Sequence, residues 1–305
     1  MKKLIALSLT MMLSFSIAAC GSNADDKPGS GSGTGSAKEE DTASDADASS
    51  GAGDTQSSTD AEGQAGSDAD SDAAYVKDKG TLVVGITDFE PMDYKDADGS
   101  WIGFDADMAA AFAESLGVAV EFVEIDWDNK ILELDANNID CVWNGMTLTD
   151  EVKSSMECSN AYCNNAQVVI VPSDKADLYQ DVESLSELNF AVEAGSAGEA
   201  QAQAHNLSYT PVKQQSGALM EVNAGTSDAA IIDSLMAAAM VGEGTGYENL
   251  TYTVGLNNEE YGVGFRKGSD LAAALNEFFA AAYADGSMKE CAEKYGVQAA
   301  LAEQN

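Results

Sequence analysis

The sequence has few of the residues from which most catalytic and metal sites are built. Its 305 residues include one histidine, His205, one arginine, Arg266, and only five cysteines. So few imidazole and thiol groups leave little material for a zinc site, and no Ser–His–Asp set is evident. We therefore expect no catalytic residues, no metal and no cofactor.

Positive charge is also scarce. The chain has 15 Lys and Arg residues against 52 Asp and Glu residues, a net charge of −37. Nucleic-acid binding depends on Lys and Arg side chains that neutralise phosphates, and anionic membrane surfaces attract the same residues. The composition therefore argues against both as partners, while the length allows one large domain or two of middle size.

The amino-terminal residues have the pattern of an export signal. Lys2 and Lys3 precede an apolar run over residues 4–19, which is shorter than the ~20 residues needed to span a bilayer. The run ends in Ile-Ala-Ala-Cys-Gly, which resembles the bacterial lipobox. We expect removal of residues 1–19 and lipid attachment to Cys20, so that the protein is extracytoplasmic and held to the membrane by its lipid alone. The alternative is an ordinary signal peptide in which this cysteine is incidental.

Residues 20–74 have the composition of a disordered acidic tether. From residue 21 they are mainly Gly, Ser, Ala, Asp and Thr, with no aromatic and no large aliphatic residue. Such a segment cannot bury enough apolar surface to offset its chain entropy, and like-charge repulsion extends it. We expect it to hold a folded part, from about residue 75, away from the membrane.

The rest of the chain alternates strand and helix patterns. The β-branched run Thr81–Ile86 predicts a strand. Apolar residues at helical spacing from Asp105 to Leu116 predict a helix closed by Gly117. The alternation continues towards a final pair of helices that begins with Leu271–Asp285. The pattern favours an α/β fold with a mainly parallel sheet and helices on both faces.

Six short motifs follow one another between residues 80 and 296. They are Gly103–Asp107, Asn144–Thr149, Ser159–Tyr162, Ser227–Asp233, Tyr261–Gly268 and Asp285–Ser287. In this order, behind a lipobox, the stretch resembles the family 3 extracellular solute-binding proteins, the polar amino-acid receptors of bacterial ABC importers. Each motif alone is weak, and their order makes the resemblance specific.

The resemblance implies a two-lobe, periplasmic-binding-protein-like (type II) fold with a hinge. Lobe 1 would comprise residues 75–162 plus 262–305, and lobe 2 residues 163–261. Strands near 162–166 and 259–261 would form the hinge, and a ligand touching both lobes would stabilise closure. The implied partners are a small-molecule ligand (an amino acid or amine) and the subunits of an ABC permease, with the protein itself a monomer.

The candidate ligand-binding residues follow from the position of ligands in open α/β sheets, beyond the carboxyl ends of the strands. In lobe 1 they are Asp88, Phe89, Glu90, Trp127, Gly145, Met146 and Thr147. The resemblance implies that Phe89 and Trp127 stack on the ligand, and packing in the core is the alternative for both. Gly145, Met146 and Thr147 would offer backbone groups and a hydroxyl, and a plain strand-to-helix turn is the alternative for them.

In lobe 2 the candidates are Ser196, Ala197 and Asp233. The first two precede a helical pattern, and free N–H groups at a helix start attract a carboxylate, although a plain glycine turn is the alternative. Asp233 ends an apolar strand pattern and is predicted to accept hydrogen bonds from a ligand ammonium. Capping of the next helix is the alternative for this residue.

One position departs from the family. The loop Thr149–Lys153 has Val152 where the amino-acid receptors present an arginine that binds the ligand's α-carboxylate. Several acids lie in or beside the predicted loops, namely Asp88, Glu90, Asp93, Glu193 and Asp233. Because an uncompensated carboxylate in a closing cleft is costly, we expect a cationic amino acid or an amine without the usual carboxylate. The alternative is that these acids are solvated rim residues.

Two other function classes stay open. An enzyme on the same fold, such as a dehydratase or hydrolase, would need a general acid or base, for which Glu90 and Glu193 are the candidates. A sensory ligand-binding domain usually belongs to a chain that continues through the membrane, whereas this sequence ends at Asn305. A disulfide between Cys158 and Cys163 is also open for an exported protein.

Overall fold

Two mixed β-sheets flanked by helices, together with a separate two-stranded sheet, make up residues 71–304, the part of the chain that the computed structural model describes. The helices are α1 (Asp72–Lys79), α2 (Phe104–Leu116), α3 (Lys130–Asp135), α4 (Asp150–Ser155), α5 (Ala197–Ala204), α6 (Gln215–Ala224), α7 (Ser234–Met240), α8 (Leu271–Asp285) and α9 (Ser287–Tyr295). The strands are β1 (Thr81–Ile86), β2 (Tyr94–Lys95), β3 (Trp101–Ile102), β4 (Ala119–Glu124), β5 (Cys141–Thr147), β6 (Glu157–Cys158), β7 (Cys163–Asn165), β8 (Gln167–Pro172), β9 (Asn189–Glu193), β10 (Ser208–Val212), β11 (Ala229–Asp233), β12 (Leu250–Gly255) and β13 (Glu259–Phe265). The predicted signal, Cys20 and residues 20–70 of the predicted tether lie outside the described residues.

The first sheet has the strand order β4-β1-β5-β13-β6, and β7 also pairs with β13. Strands β4, β1 and β5 are parallel, whereas β13 runs antiparallel to β5. The second sheet has the order β10-β9-β11-β8-β12, in which the first three strands are parallel and the last two pair antiparallel. The prediction of a mainly parallel sheet is therefore right for one half of each sheet only.

The chain passes twice between the sheets. It leaves the first sheet after Asn165, enters the second at Gln167, and returns between Gly255 and Glu259. The crossing strands pair with each other, with Asn165 opposite Glu259. The fold is the predicted two-lobe type II fold, with lobe 1 built on the first sheet and lobe 2 on the second. The predicted lobe bounds stay a prediction.

Helix α1 begins inside the segment predicted as a tether. The Ser71 hydroxyl caps it by accepting a hydrogen bond from the Ala74 N–H (3.0 Å). Arg266 forms an ion pair with Asp72 in its first turn, with 3.1 Å between Nη2 and Oδ1. The composition of the predicted tether indicates neither contact. The ion pair joins residues at opposite ends of the folded part, so no local pattern predicts it.

Several local predictions are confirmed. Strand β1 has the predicted bounds, and α2 ends at Gly117, which has a φ of 77°. Only a residue without a Cβ adopts this left-handed conformation at low cost.

Cys158 and Cys163 are free thiols, so the disulfide left open by the sequence is not formed. No helix within residues 71–304 is long and apolar enough to cross a bilayer.

Apolar side chains cover both sheets, and one buried cluster contains residues of both lobes. In lobe 1, the rings of Trp143, Tyr162 and Phe279 lie within 6.4 Å of one another between their centroids, under α2 and α8. In lobe 2, β8, β9 and β11 bury alternate side chains against a smaller cluster that includes Phe190. These cores fix the sheets, so that the strand ends have defined positions.

Candidate functional site

A cavity of about 270 Å³ lies between the lobes, at the carboxyl ends of the parallel strands. Eight of the ten predicted binding residues line it: Phe89, Trp127, Gly145, Met146, Thr147, Ser196, Ala197 and Asp233. Asp88 and Glu90 are not among the lining residues, and a role for them in ligand binding stays a prediction. Burial raises the pKa of both carboxyl groups, with further contributions from Glu124 at Asp88 and from Asp88 at Glu90.

The lobe 1 wall is aromatic. Phe89 is 2% exposed and contacts the ring of Tyr261 edge to face, with 6.3 Å between the ring centroids. A Cβ on Gly145, whose φ is +54°, would lie 2.5 Å from Cε1 of Phe89, so the strand approaches the ring only because this residue is glycine. Trp127 is buried and lines the same cavity. Both aromatic residues are thus core residues and lining residues at once.

Strand β5 is held in place from behind by polar side chains. The Asn144 side-chain oxygen accepts hydrogen bonds from the N–H and hydroxyl of Thr87 (3.0 and 2.7 Å), and its Nδ2 donates to Asp93 Oδ2 (2.7 Å). The Gly145 N–H donates to Asp105 Oδ2 (2.6 Å). These bonds fix the backbone that lines the cavity.

Asp93 and Asp105 form a buried acid pair. Neither side chain is exposed, and Oδ1 of each has no hydrogen-bond partner among the described residues. Burial and the neighbouring Asp105 raise the pKa of Asp93 well above its usual value, and burial raises the pKa of Asp105 to about 7. The two carboxyl groups therefore retain a proton near neutral pH.

We expect Asp93→Asn to stabilise the protein at alkaline pH. A raised pKa means that stability is lost as pH rises through the pKa of the folded state, and an amide does not ionise. The free energy of unfolding at pH 8 should exceed that of the unsubstituted protein by about 1 kcal/mol, with a smaller gain at pH 5.5. Urea unfolding at both pH values measures this, with Asp177→Asn, at an exposed carboxylate, as the control. An equal change in the free energy of unfolding at both pH values would contradict the raised pKa of Asp93.

The lobe 2 wall presents Asp233, the last residue of β11. Its Oδ1 accepts hydrogen bonds from Tyr261 Oη (2.6 Å), Gln167 Nε2 (2.9 Å) and Asn165 Nδ2, and its Oδ2 accepts one from Gln215 Nε2. A carboxylate has about four lone-pair sites, so Oδ2 keeps one for a further donor. The side chain makes no capping bond to α7, and the capping alternative is wrong.

The charge state of Asp233 depends on its surroundings. Burial and the nearby Glu259 carboxylate raise the pKa of Asp233 to about 7, against the lowering effect of hydrogen bonds from Tyr261 and Gln215. A cation placed beside Oδ2 would favour the ionised form. The site therefore responds electrostatically to an ammonium group.

Hydrogen bonds connect Asp233 to the strands that cross between the lobes. Asn165 and Gln167 each donate to Glu259 Oε1, at 2.7 and 2.8 Å, in addition to Asp233. From lobe 1, the Thr147 hydroxyl donates to the same Oε1 (2.9 Å). We call Thr147, Asn165, Gln167, Asp233 and Glu259 the crossing network.

The two backbone amides predicted at the start of α5 differ. The Ser196 N–H donates to the Glu193 carbonyl oxygen (3.3 Å), and the Ser196 hydroxyl caps the helix by accepting from the Glu199 N–H (3.1 Å). Ala197 is the first helical residue, so its N–H has no acceptor within the helix. Of the predicted pair, the Ala197 amide is thus the one that a ligand can use.

Sequence reasoning did not include Lys130, Glu193 and Gln215 among the ligand-binding residues. All three are buried and line the cavity. Glu193 ends β9 and Gln215 begins α6. The rule that ligands bind at the ends of strands and the starts of helices would therefore have predicted both residues, if it had been applied to every such position in lobe 2. Lys130 carried one signal, its position one helical turn after Trp127.

The cavity wall has no guanidinium group. Val152, which stands at the family's arginine position, lines the cavity, while Arg266 bonds to Asp72, Asp140 and the Ile139 carbonyl group elsewhere. The acidic residues that line the cavity are Asp150, Glu151, Glu193 and Asp233. Asp93 lies behind the wall, so fewer acids face the ligand than the sequence suggested.

Comparison with known proteins gives a match of residues 82–298 to the family described as bacterial extracellular solute-binding proteins, family 3. The L-arginine-binding protein of Pseudomonas aeruginosa is 29% identical over 218 residues, which cover 68% of this chain and 84% of that protein. These similarities extend over the folded part rather than a single motif.

Two solved structures superpose well on this chain. One is an ABC uptake transporter substrate binding protein from Streptococcus pneumoniae with bound histidine, which has a TM-score of 0.70 and 29% identity, and the match covers 76% of this chain and 99% of that one. The other is an ancestral amino acid-binding protein described as a precursor of cyclohexadienyl dehydratase. Its TM-score is 0.68 at 31% identity, and the match covers 74% of this chain and 99% of that one.

Proposed function

Because the chain belongs to the bacterial extracellular solute-binding proteins of family 3, we propose that it is an extracytoplasmic receptor that captures an amine-bearing solute for an ABC importer. The observation that carries the ligand class is Asp233, a buried carboxylate in the cavity wall with a free lone pair on Oδ2. A ligand ammonium at Oδ2 would form a charge-assisted hydrogen bond in a site of low polarity. The relatives named above are binding proteins, which supports capture rather than catalysis.

The mechanism is closure of the lobes over the ligand. The solute would lie between the aromatic wall of lobe 1, Phe89 and Trp127, and the polar wall of lobe 2, Asp233 and the Ala197 N–H. Contacts to both lobes stabilise the closed form, because separating the lobes would break one set of them. The closed form is then the species that docks on the permease.

We further propose that a lipid on Cys20 holds the receptor at the outer face of the membrane. The lipobox pattern before this residue supports the anchor, and the composition of residues 20–70 supports a tether that extends from it. The receptor acts as a monomer in this arrangement. Mass spectrometry of the membrane-extracted protein tests the anchor, since an unmodified Cys20 would contradict it.

One observation favours a second function, an enzyme on the same fold. Burial and the neighbouring Asp233 raise the pKa of Glu193 to about 8, and its Oε1 has no hydrogen-bond partner within the described residues. A carboxylic acid that keeps its proton at neutral pH is suited to general acid catalysis. Recovery of chemically unchanged ligand after prolonged incubation supports the receptor, whereas a new product supports the enzyme.

The proposed function predicts a pH-dependent gain in thermal stability. Twenty L-amino acids, agmatine, histamine and cadaverine are screened by melting temperature at pH 6 and pH 8. A ligand at 100 times its Kd adds about 2.7 kcal/mol of stability. Since an ammonium binds the ionised form of Asp233, whose pKa of about 7 is raised by burial, affinity should be roughly tenfold higher at pH 8 than at pH 6. Failure of every compound to raise the melting temperature would overturn the proposal.

A further inference from the structure

Lys130 is the one basic side chain among the described residues that line the cavity. It begins α3 in lobe 1 and is 8% exposed. Its Nζ donates to the carbonyl oxygens of Gly195 (2.9 Å) and Trp127 (3.3 Å), and lies 4.9 Å from the centroid of the Trp127 ring. An ammonium group has three donors, so one remains for a ligand.

The Lys130 ammonium has no direct counter-ion. No carboxylate oxygen of the described residues lies within 4.0 Å of Nζ. The acids that face it at longer range are Glu193, Glu151, Asp128 and Glu199. Of these, Glu199 already accepts a hydrogen bond from the Gly195 N–H (2.7 Å), and burial raises the pKa of Glu193 to about 8. A buried charge without a partner is costly, so an anion beside it would be stabilising.

The contact between Lys130 and Gly195 points to a place for that anion. The Gly195 carbonyl group that it contacts belongs to lobe 2 and stands two residues before Ala197, whose N–H is free at the start of α5. An anion held by Nζ and by this N–H would contact both lobes. Val152 lines the same cavity, so no guanidinium group competes for this place.

We propose that Lys130 Nζ and the Ala197 N–H bind the carboxylate of an α-amino acid whose ammonium lies at Asp233. This inference rests on the proposed function and narrows the ligand from amines in general to zwitterions. Lys130 is then a specificity-determining residue, because a solute without the carboxylate would leave its charge unpaired. Of the two ligands expected from the sequence, it favours an amino acid over an amine without the usual carboxylate.

The test compares ligands and variants together in the full chain. The L-amino acid with the largest shift of melting temperature among the twenty is titrated by calorimetry beside its α-carboxamide, which removes the negative charge at nearly constant size. We expect the amino acid to bind at least 30-fold more tightly than the carboxamide. The ratio of the carboxamide Kd to the amino-acid Kd should fall below threefold in Lys130→Met. In Lys130→Arg this ratio should stay above tenfold.

A control separates charge from interdomain contact. Lys213 also bridges the lobes, with 2.9 Å between Nζ and Asp126 Oδ1, but it is exposed and outside the cavity. Lys213→Met should leave the ratio unchanged. A purely structural role of Lys130 would weaken both ligands equally in Lys130→Met and leave the ratio high, which would overturn the inference.

The failures of the two proposals are distinguishable. Carboxamides or plain amines that bind as tightly as amino acids would overturn the role of Lys130 and leave the receptor for amines standing. If no amino acid and no amine binds, both proposals fail. If an amino acid binds tightly but Lys130→Met does not change the ratio of the carboxamide Kd to the amino-acid Kd, the inference alone is overturned.

Discussion

Asp233→Asn is expected to weaken binding of the amine-bearing ligand by roughly 100- to 4000-fold. The substitution leaves a buried ligand ammonium without its carboxylate, and loss of one partner of a buried ion pair costs about 3–5 kcal/mol. The amide retains an oxygen that can accept from Tyr261 or Gln215, so most of the local packing is kept. Calorimetric titration of the full chain with the tightest amino acid measures the loss.

Two controls accompany this variant. Asp177→Asn changes an exposed carboxylate away from the cavity and should leave Kd unchanged. The melting temperature of Asp233→Asn without ligand shows whether the protein is folded. An affinity within threefold of the unsubstituted protein, in a folded variant, would show that Asp233 does not hold the ligand.

Gly195→Ala is expected to lower affinity by about 10- to 100-fold because it keeps the lobes apart. A Cβ at Gly195 in lobe 2 would lie 2.8 Å from Cα and from Oδ1 of Asp128 in lobe 1. Overpacking of this kind costs about 1–3 kcal/mol, and here opening of the lobes relieves it. Calorimetry gives the affinity, and small-angle scattering with saturating ligand shows whether the chain still becomes compact.

The chain offers a matched control for this glycine. Gly225 has a φ of +75°, close to the +69° of Gly195, but a Cβ there would meet nothing within 4 Å. Gly225→Ala therefore has the same backbone cost, about 1–2 kcal/mol, without a contact between lobes. Equal affinities for the two alanine variants would contradict a steric effect on closure.

The sequence predicted the parts of the fold that local pattern determines. Strand β1, the end of α2 at Gly117 and helix α8 have their predicted bounds, because apolar periodicity and a left-handed glycine are local signals. The antiparallel halves of the sheets were missed. Strand β13 returns from lobe 2 and pairs with β5 more than 100 residues earlier, and no local pattern contains that direction.

The candidate site was predictable where it depends on strand ends. Asp233 and Gly145 lie at the carboxyl ends of strands, and such ends meet at one edge of a sheet. Asp88 follows β1 equally closely but does not line the cavity, because the chain turns back at once, with the Phe89 N–H bonded to the Asp93 carbonyl oxygen (2.7 Å). Lys130 was missed because its importance comes from an unpaired charge, which only the packed structure reveals.

The crossing network couples binding of the solute to the angle between the lobes. Asp233 shares hydrogen-bond donors with Glu259, which lies on a strand that crosses between the lobes. Coupling of this kind is reciprocal, so a transporter that prefers one angle changes solute affinity by the factor by which solute changes docking. In the proposed function, a permease that prefers the open arrangement of the lobes would therefore lower solute affinity without inserting any group of its own into the cavity.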